Sequence, residues 1–292
     1  NEVSPPMLGR RLKSSASAAQ PLKYFSAWFC PFAHRTTLAL EHHRDAVAYE
    51  WEEALGWEKG KAPTGTEDFA ADERQDWWYH WKSPALLEAN PLGMVPTILD
   101  PLSRRSVTES VVCIQFVDEL ALSNGSSSPS LMPEDPFERA RARVSAEKVN
   151  KTVTSGYYAA LVRTDDDERR AGFDKILEGL RTFTIESRGS FWGGSSLGLV
   201  DCVLLPYAYR LYALEHYRGF KVPRDGEDGL WARYHEWLDR ATSLDYVAPT
   251  LPGKERYLAH VAKYAEGKAR SKVGNAVRRG VAAHDYDDDK DG

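Results

Sequence analysis

Residues 22–42 constrain this chain more than any other stretch. A strand-like run, Leu22-Lys23-Tyr24-Phe25-Ser26-Ala27-Trp28, passes into Phe29-Cys30-Pro31-Phe32-Ala33-His34-Arg35 and then into the helix-like Thr36-Thr37-Leu38-Ala39-Leu40-Glu41-His42. A strand that runs straight into a helix belongs to an α/β layer, and the junction sets one thiol at the helix N-terminus. The unpaired N–H groups and positive dipole end there favour an anion, so Cys30 is expected as a thiolate near neutral pH and as the attacking group. Pro31 suits the first helical turn, where its missing N–H is no loss. Most free cysteines are instead small buried apolar residues, and Cys113 and Cys202, in apolar helical patterns, read that way. Three cysteines, one of them before a proline, make no disulfide framework, which fits a reducing compartment.

A second cluster lies downstream in Asn90-Pro91-Leu92-Gly93-Met94-Val95-Pro96, leading into the short apolar Thr97-Ile98-Leu99. A proline at the mouth of a strand belongs in a turn, and its X-Pro bond can be cis. Val95 ahead of it is placed to pair its backbone with an extended peptide. Val107-Thr108-Glu109-Ser110 then opens another helix, whose free N–H groups can hold a carboxylate.

In this order the motifs resemble the glutathione transferase superfamily, most nearly its omega class and the fungal omega-like members. The resemblance rests on Phe29 to Arg35, Asn90 to Pro96 and Glu109-Ser110, and continues through Leu131-Met132-Pro133-Glu134-Asp135-Pro136-Phe137, Phe191-Trp192-Gly193-Gly194, Leu199-Val200-Asp201 and Glu255-Arg256-Tyr257-Leu258. It covers about residues 22–280. The fold it implies is a thioredoxin-like α/β N-terminal domain followed by an all-α C-terminal domain. The expected layout is a disordered tail or targeting remnant over 1–21, the glutathione-binding domain over 22–122, and a Ser/Pro-rich linker over 123–133. An all-helical domain over 134–272 and a charged tail over 273–292 complete it.

The activity the resemblance implies is glutathione-dependent thioltransferase and reductase chemistry through a Cys30–glutathione mixed disulfide, including deglutathionylation and reduction of the dehydroascorbate type. No second cysteine follows Pro31-Phe32-Ala33, so a monothiol route is expected. By the same resemblance Val95 and Pro96 present backbone to the cysteinyl part of glutathione, Glu109 takes the γ-glutamyl ammonium, and Ser110 takes that moiety's carboxylate. Phe32 packs beside the sulfur, and Lys82 reaches the glycyl carboxylate. An electrophile pocket is expected from Trp28, Tyr157, Tyr158, Tyr207 and Arg210. Two alternatives stay open. Ala33-His34-Arg35 is also similar to glutathionyl-hydroquinone reductases, and nine Trp with fourteen Tyr suit a non-catalytic carrier of aromatic metabolites.

Composition excludes more than it assigns. A net charge of -5 argues against general binding of nucleic acid, which needs a clustered positive face. No run of about 18 apolar residues exists to span a bilayer. The histidines lack ligand spacing, so no metal is expected and glutathione is the one co-substrate. Cytoplasmic residence is expected, with organelle import through Met7-Leu8-Gly9-Arg10-Arg11 as the alternative, and a homodimer is what the resemblance implies. Residues 254–279 carry eight Lys/Arg against two Glu, and 285–291 five Asp against one Lys, both read as solvated. The long connection over 54–84, with Trp57, Trp77, Trp78 and Trp81, is expected as a helix and loop laid over the first domain, with a substrate-gripping flap as the alternative. The segment from Asp201 to Leu214, apolar nearly all round, is expected as the buried central helix.

Overall fold

Leu22, Tyr24, Phe25 and Ser26 are all buried because strand β1 (Leu22–Ser26) sits inside a sheet. Its neighbours are β2 (Tyr49–Glu53), parallel to it, and β5 (Thr97–Leu99), antiparallel, and β6 (Ser106–Thr108) pairs with β5 at the edge. A parallel pair needs a crossover, which α1 (Pro31–His42) supplies. The computed structural model describes residues 20–60 and 76–282. With the helices that follow, it shows the thioredoxin-like α/β unit and the helical unit expected above.

α1 is buried on nearly every side, since the sheet takes one face while α3 (Ser110–Ser123) and α7 (Leu199–Arg210) pack on others. Arg35 makes the deepest of these contacts. Its guanidinium donates to Val203 O of α7 at 3.0 Å, to Thr154 Oγ1 at 2.9 Å and to Ser110 Oγ at 3.3 Å, tying both units together. Short helices start where the local chemistry says they should. Ser83 caps α2 (Pro84–Ala89) and Asp135 caps α4 (Pro136–Val149), each with proline in the first turn.

α4 runs through a π-helical turn, Asn150–Thr154, into α5 (Ser155–Val162), which packs against α6 (Asp166–Glu186). Backbones approach closely there: a Cβ on Gly156 would stand 2.5 Å from Gly172 O, so that crossing demands glycine. α7 is buried along almost its whole length, as its all-round apolar pattern requires. Gly198 offers no capping hydroxyl, and Asp201 supplies the hold from inside the helix. Its carboxylate accepts from Gly198 N at 3.0 Å, Trp192 N at 3.0 Å and Trp237 Nε1 at 2.8 Å. α8 (Tyr212–Arg218), α9 (Leu230–Ser243) and α10 (Lys254–Ala265) follow.

Three expectations need correction. The stretch after β2 is a hairpin rather than a helix: β3 (Leu55–Lys59) and β4 (Trp78–Lys82) pair antiparallel from Leu55↔Lys82 to Lys59↔Trp78. Trp-Tyr-His-Trp is a strand-forming run, and aromatic side chains fit a pleated surface better than a helix. Residues 61–75 lie outside the described residues. The helical unit is also interrupted by a strand, β7 (Ala269–Arg270), parallel to β4, so the end of the chain completes a sheet begun in the first domain. The charged tail expected from 273 is helical at its start. α11 (Lys272–Arg278) is capped by Ser271 and buries Gly274, Ala276 and Val277. The N-terminal segment 1–19 and the Asp block lie outside the described residues.

Candidate active site

Cys30 is the N-cap of α1, in extended conformation, and its carbonyl accepts the first helical bond from His34 N at 3.0 Å. Its half-buried sulfur opens into a cavity of about 630 Å³, 4.0 Å from Val95 O. Cys113 and Cys202 are fully buried. Burial pushes the Cys30 thiol up from its ordinary value. The amide N–H groups of Ala33 and Phe32 and the charges of Arg210 and Arg35 pull it down but do not overcome that burial. The expectation of a thiolate near neutral pH is thereby corrected: the helix terminus does pull the thiol down, but desolvation outweighs it.

Behind the sulfur lies a fixed relay of polar groups. His34 Nδ1 accepts from Arg210 Nη1 at 3.0 Å, which leaves Nε2 to donate to Thr250 Oγ1 at 2.8 Å. Burial, and then the Arg210 charge, hold His34 well below the usual histidine range, so it stays neutral.

The Val95 wall is built by Asn90. Its side chain donates to Met94 O at 3.2 Å and Thr97 Oγ1 at 3.1 Å and accepts from Leu92 N at 3.2 Å, shaping the loop that presents Val95. The Val95–Pro96 peptide is cis, and Val95 N–H has no hydrogen-bond partner among the described residues. Lys82 Nζ donates to Leu92 O at 3.0 Å, and its chain lies over Gly93, whose φ of 60° and lack of a Cβ both suit that contact. A smaller adjoining cleft of about 100 Å³ contains Phe32, Val95, Pro96, Glu109 and Ser110. Glu109 is exposed, with a φ of 66° that a side chain adopts at a cost on the order of 1–3 kcal/mol.

The predicted residues divide. Cys30, Phe32, Lys82, Val95, Tyr157 and Tyr158 line the main cavity, and Pro96, Glu109 and Ser110 line its side cleft. Tyr207 and Arg210 do not reach the cavity: α7 is a core helix, so Tyr207 packs edge-on against Phe32 and Arg210 is spent on His34 and Pro206 O. Trp28 faces other clefts, stacked under Arg256 at 3.8 Å.

Of the opposite wall, the sequence offered only the 54–84 flap as an alternative, and its α10 and C-terminal parts were not foreseen. β4 contributes Tyr79 and His80, α10 contributes Tyr257, His260 and Tyr264, and the C-terminal segment contributes Arg270, Lys272, Arg278 and Arg279. Burial holds His80 at about 3 and His260 well below its usual range, so both imidazoles are neutral stacking partners. His260 lies 4.0 Å from the Phe29 ring. The signal for this wall was the excess of basic residues over 254–279, which carries apolar residues at helical spacing among its charges. Among the described residues no cluster of His, Cys, Asp and Glu could hold a metal ion, and no helix is long and apolar enough to cross a membrane.

Residues 29–120 match the N-terminal domain of glutathione S-transferases. A probable glutathione S-transferase GSTU6 of Oryza sativa subsp. japonica is 32% identical over 239 residues, covering 79% of this chain and 88% of the relative. The chain belongs to the glutathione S-transferase family. Two solved transferases share its fold at 24% identity. A rice GST1 in complex with glutathione gives a TM-score of 0.66 over 86% of this chain and 98% of its own. Omega 3C from Trametes versicolor gives 0.65 over 85% and 92%. Within this transferase family, a cysteine facing the cavity is the feature that decides which chemistry to test.

Proposed function

We propose that the chain is a glutathione-dependent thioltransferase and reductase of the omega kind, with Cys30 as the sulfur that turns over. The observation that carries this reading is that a cysteine stands on the cavity floor, 4.0 Å from the Val95 carbonyl, while the other two are sealed in the core. Glutathione would lie extended along Val95 and Pro96, its cysteinyl part pairing with the Val95 backbone. Its γ-glutamyl ammonium would meet Glu109 and its γ-glutamyl carboxylate Ser110 at the start of α3. Phe32 would flank the sulfur and Lys82 would reach the glycyl carboxylate.

The reaction then balances in two exchanges. Cys30 thiolate attacks the glutathione sulfur of a mixed disulfide; the Cys30–glutathione bond forms, the original S–S bond breaks, and the substrate thiolate leaves and takes a proton. A second glutathione thiolate attacks the glutathione sulfur bound to Cys30, releasing oxidised glutathione and restoring Cys30. Because burial raises the thiol, turnover should climb with pH through the neutral range. A cytoplasmic homodimer belongs to the same reading, and its mass in solution tests the assembly.

The raised thiol also favours a second reading, in which the Cys30 S–H stays protonated and donates to a bound glutathione thiolate that attacks an electrophile. One substitution separates the two. Cys30→Ser should abolish reduction of hydroxyethyl disulfide and remove the single-glutathione adduct seen by mass spectrometry after oxidised glutathione. A hydroxyl can still donate, so conjugation of 1-chloro-2,4-dinitrobenzene would survive in Cys30→Ser under the second reading. Retained disulfide reduction in that variant would sink the first.

A further inference from the structure

Arg270 on β7 and Arg278 on α11 stand on the C-terminal part of the opposite wall of the Cys30 cavity, and neither Asp nor Glu lines that cavity among the described residues. Neutral acceptors hold both guanidiniums. Arg270 Nη1 donates to Gly267 O at 2.7 Å and Ala269 O at 3.3 Å, and its plane lies 3.7 Å over the Trp77 ring. Arg278 Nη2 donates to Ala269 O at 2.5 Å and Asn275 Oδ1 at 2.6 Å, while its Nη1 is shielded from solvent and has no partner. The two guanidiniums share the Ala269 carbonyl, and burial and then the Arg270 charge pull Arg278 down to about 10. Adjacent cations with an unmet donor are unfavourable until an anion arrives, and planar guanidinium forks suit a carboxylate or sulfonate.

This pair is separate from the expected glutathione anchor. Arg270 sits beside Tyr79 in the sheet register, and Lys82 lies three residues further along β4, which at about 3.3 Å per residue is roughly 10 Å away. Between the pair and Cys30 the cavity is aromatic, with Tyr79, Tyr158 and Tyr264 on its walls, and its volume suits a small organic molecule beside glutathione.

We propose that the second-substrate subsite selects aromatic compounds bearing a carboxylate or sulfonate, with the acid clamped by Arg270 and Arg278 and the reacting atom directed to Cys30. The orientation rests on Cys30 being the reacting sulfur; the anion preference does not.

The test is a matched pair of mixed disulfides of glutathione, one with 5-mercapto-2-nitrobenzoate and one with 4-nitrobenzenethiol, both releasing coloured thiolates. The wild type should favour the carboxylate in kcat/KM by about tenfold or more, the gain of one charge-assisted pair in a shielded site. Arg270→Gln with Arg278→Gln should bring that ratio to within about twofold of one and leave the KM for glutathione unchanged, since it removes only the recognition of the acid. Arg270→Lys with Arg278→Lys should keep a preference. Equal use of both disulfides by the wild type, a lysine pair as blind as the glutamine pair, or an effect confined to the glutathione KM would each overturn the proposal. Should neither disulfide turn over, Cys30→Ser protein titrated with 4-nitrobenzoate and with nitrobenzene, read by tryptophan quenching, decides the matter independently. Tighter binding of the benzoate that disappears in the glutamine pair upholds the anion site even though the Cys30 chemistry has failed; equal binding ends it.

Discussion

The two walls of the Cys30 cavity are built on opposite plans. The wall carrying Val95, Glu109 and Ser110 is shaped mainly by backbone: one loop held by Asn90, one helix start and one residue at positive φ. The wall made by β4, α10 and the C-terminal segment presents side chains, with stacked aromatics and a pair of arginines. A backbone wall can be reused for one constant ligand, because the peptide groups are the same whatever surrounds them. A side-chain wall is free to vary with the ligand it meets. Under the proposed function, the constant co-substrate belongs to the first wall and the variable one to the second.

The sharpest way to break that division is at the sulfur both walls share. Cys30→Ser should lower disulfide reduction by about a thousandfold or more, as expected when a covalent nucleophile is replaced by a far weaker one. Binding of aromatic ligands to the second wall, followed by tryptophan fluorescence, should be unchanged. If binding fell along with turnover, the walls would not be independent.

The next effect concerns the core of the helical unit, at the start of α7. Asp201→Ala leaves the N–H groups of Gly198 and Trp192 and the Trp237 indole without an acceptor, and should cost about 3 kcal/mol of unfolding free energy in a urea titration. Burial pushes the Asp201 carboxyl up to about 6 against these three donors. The folded state thus keeps its proton between roughly pH 4 and 6, where the unfolded chain has lost it. This group's contribution is therefore fully present below pH 4, declines as pH rises to about 6, and is level above, so that stability falls by about 3 kcal/mol across that window. Asp201→Asn cannot titrate and should flatten that slope. A profile of unchanged slope would mean that another buried group carries it.

The same contrast explains what the sequence could disclose. The first wall was legible because each part is a local pattern: Cys-Pro before a helix, Asn-Pro before a strand, Glu-Ser at a helix start. The second wall depends on pairings that no local pattern records. Trp78 meets Ala269 only because the chain returns across nearly the whole molecule, so a strand-forming tryptophan run and a basic tail gave no sign of being neighbours. Tyr207 and Arg210 were misplaced for a related reason: an aromatic or a cation on an apolar helix has the same spacing whether it faces a ligand or packs in a core, and only α1 and α10 around it decide. The Cys30 thiol was read from its helix terminus alone, which omits burial by residues far away in sequence.

Arg35 lies beneath the first wall and touches the helical unit, so it measures how far the sulfur's electrostatics depend on that contact. Its charge pulls the Cys30 thiol down. Arg35→Met keeps most of the side-chain volume and removes the charge, so the pH midpoint of Cys30 alkylation should rise. The rate at pH 7 should drop about three- to tenfold, equivalent to a shift of half to one unit. An unchanged midpoint would assign the tuning to the Phe32 and Ala33 amides and the Arg210 charge.

The smallest expected effect tests the edge of the first wall. Lys82 meets the Leu92 carbonyl across Gly93, close to where the glycyl carboxylate of glutathione would end. Lys82→Met retains the methylene stem over Gly93 and deletes the ammonium at the half-buried rim of the cavity, where one solvated charge is worth about 0.2–1 kcal/mol. The KM for glutathione should therefore rise about two- to fivefold with kcat unchanged, and the rise should shrink as salt screens the interaction. The ratio between carboxylated and neutral disulfides should not move, because the arginine pair lies roughly 10 Å away along β4. A Lys82→Met enzyme that lost that ratio would show that one cationic rim serves both ligands, and the separation of the two walls would fail at its border.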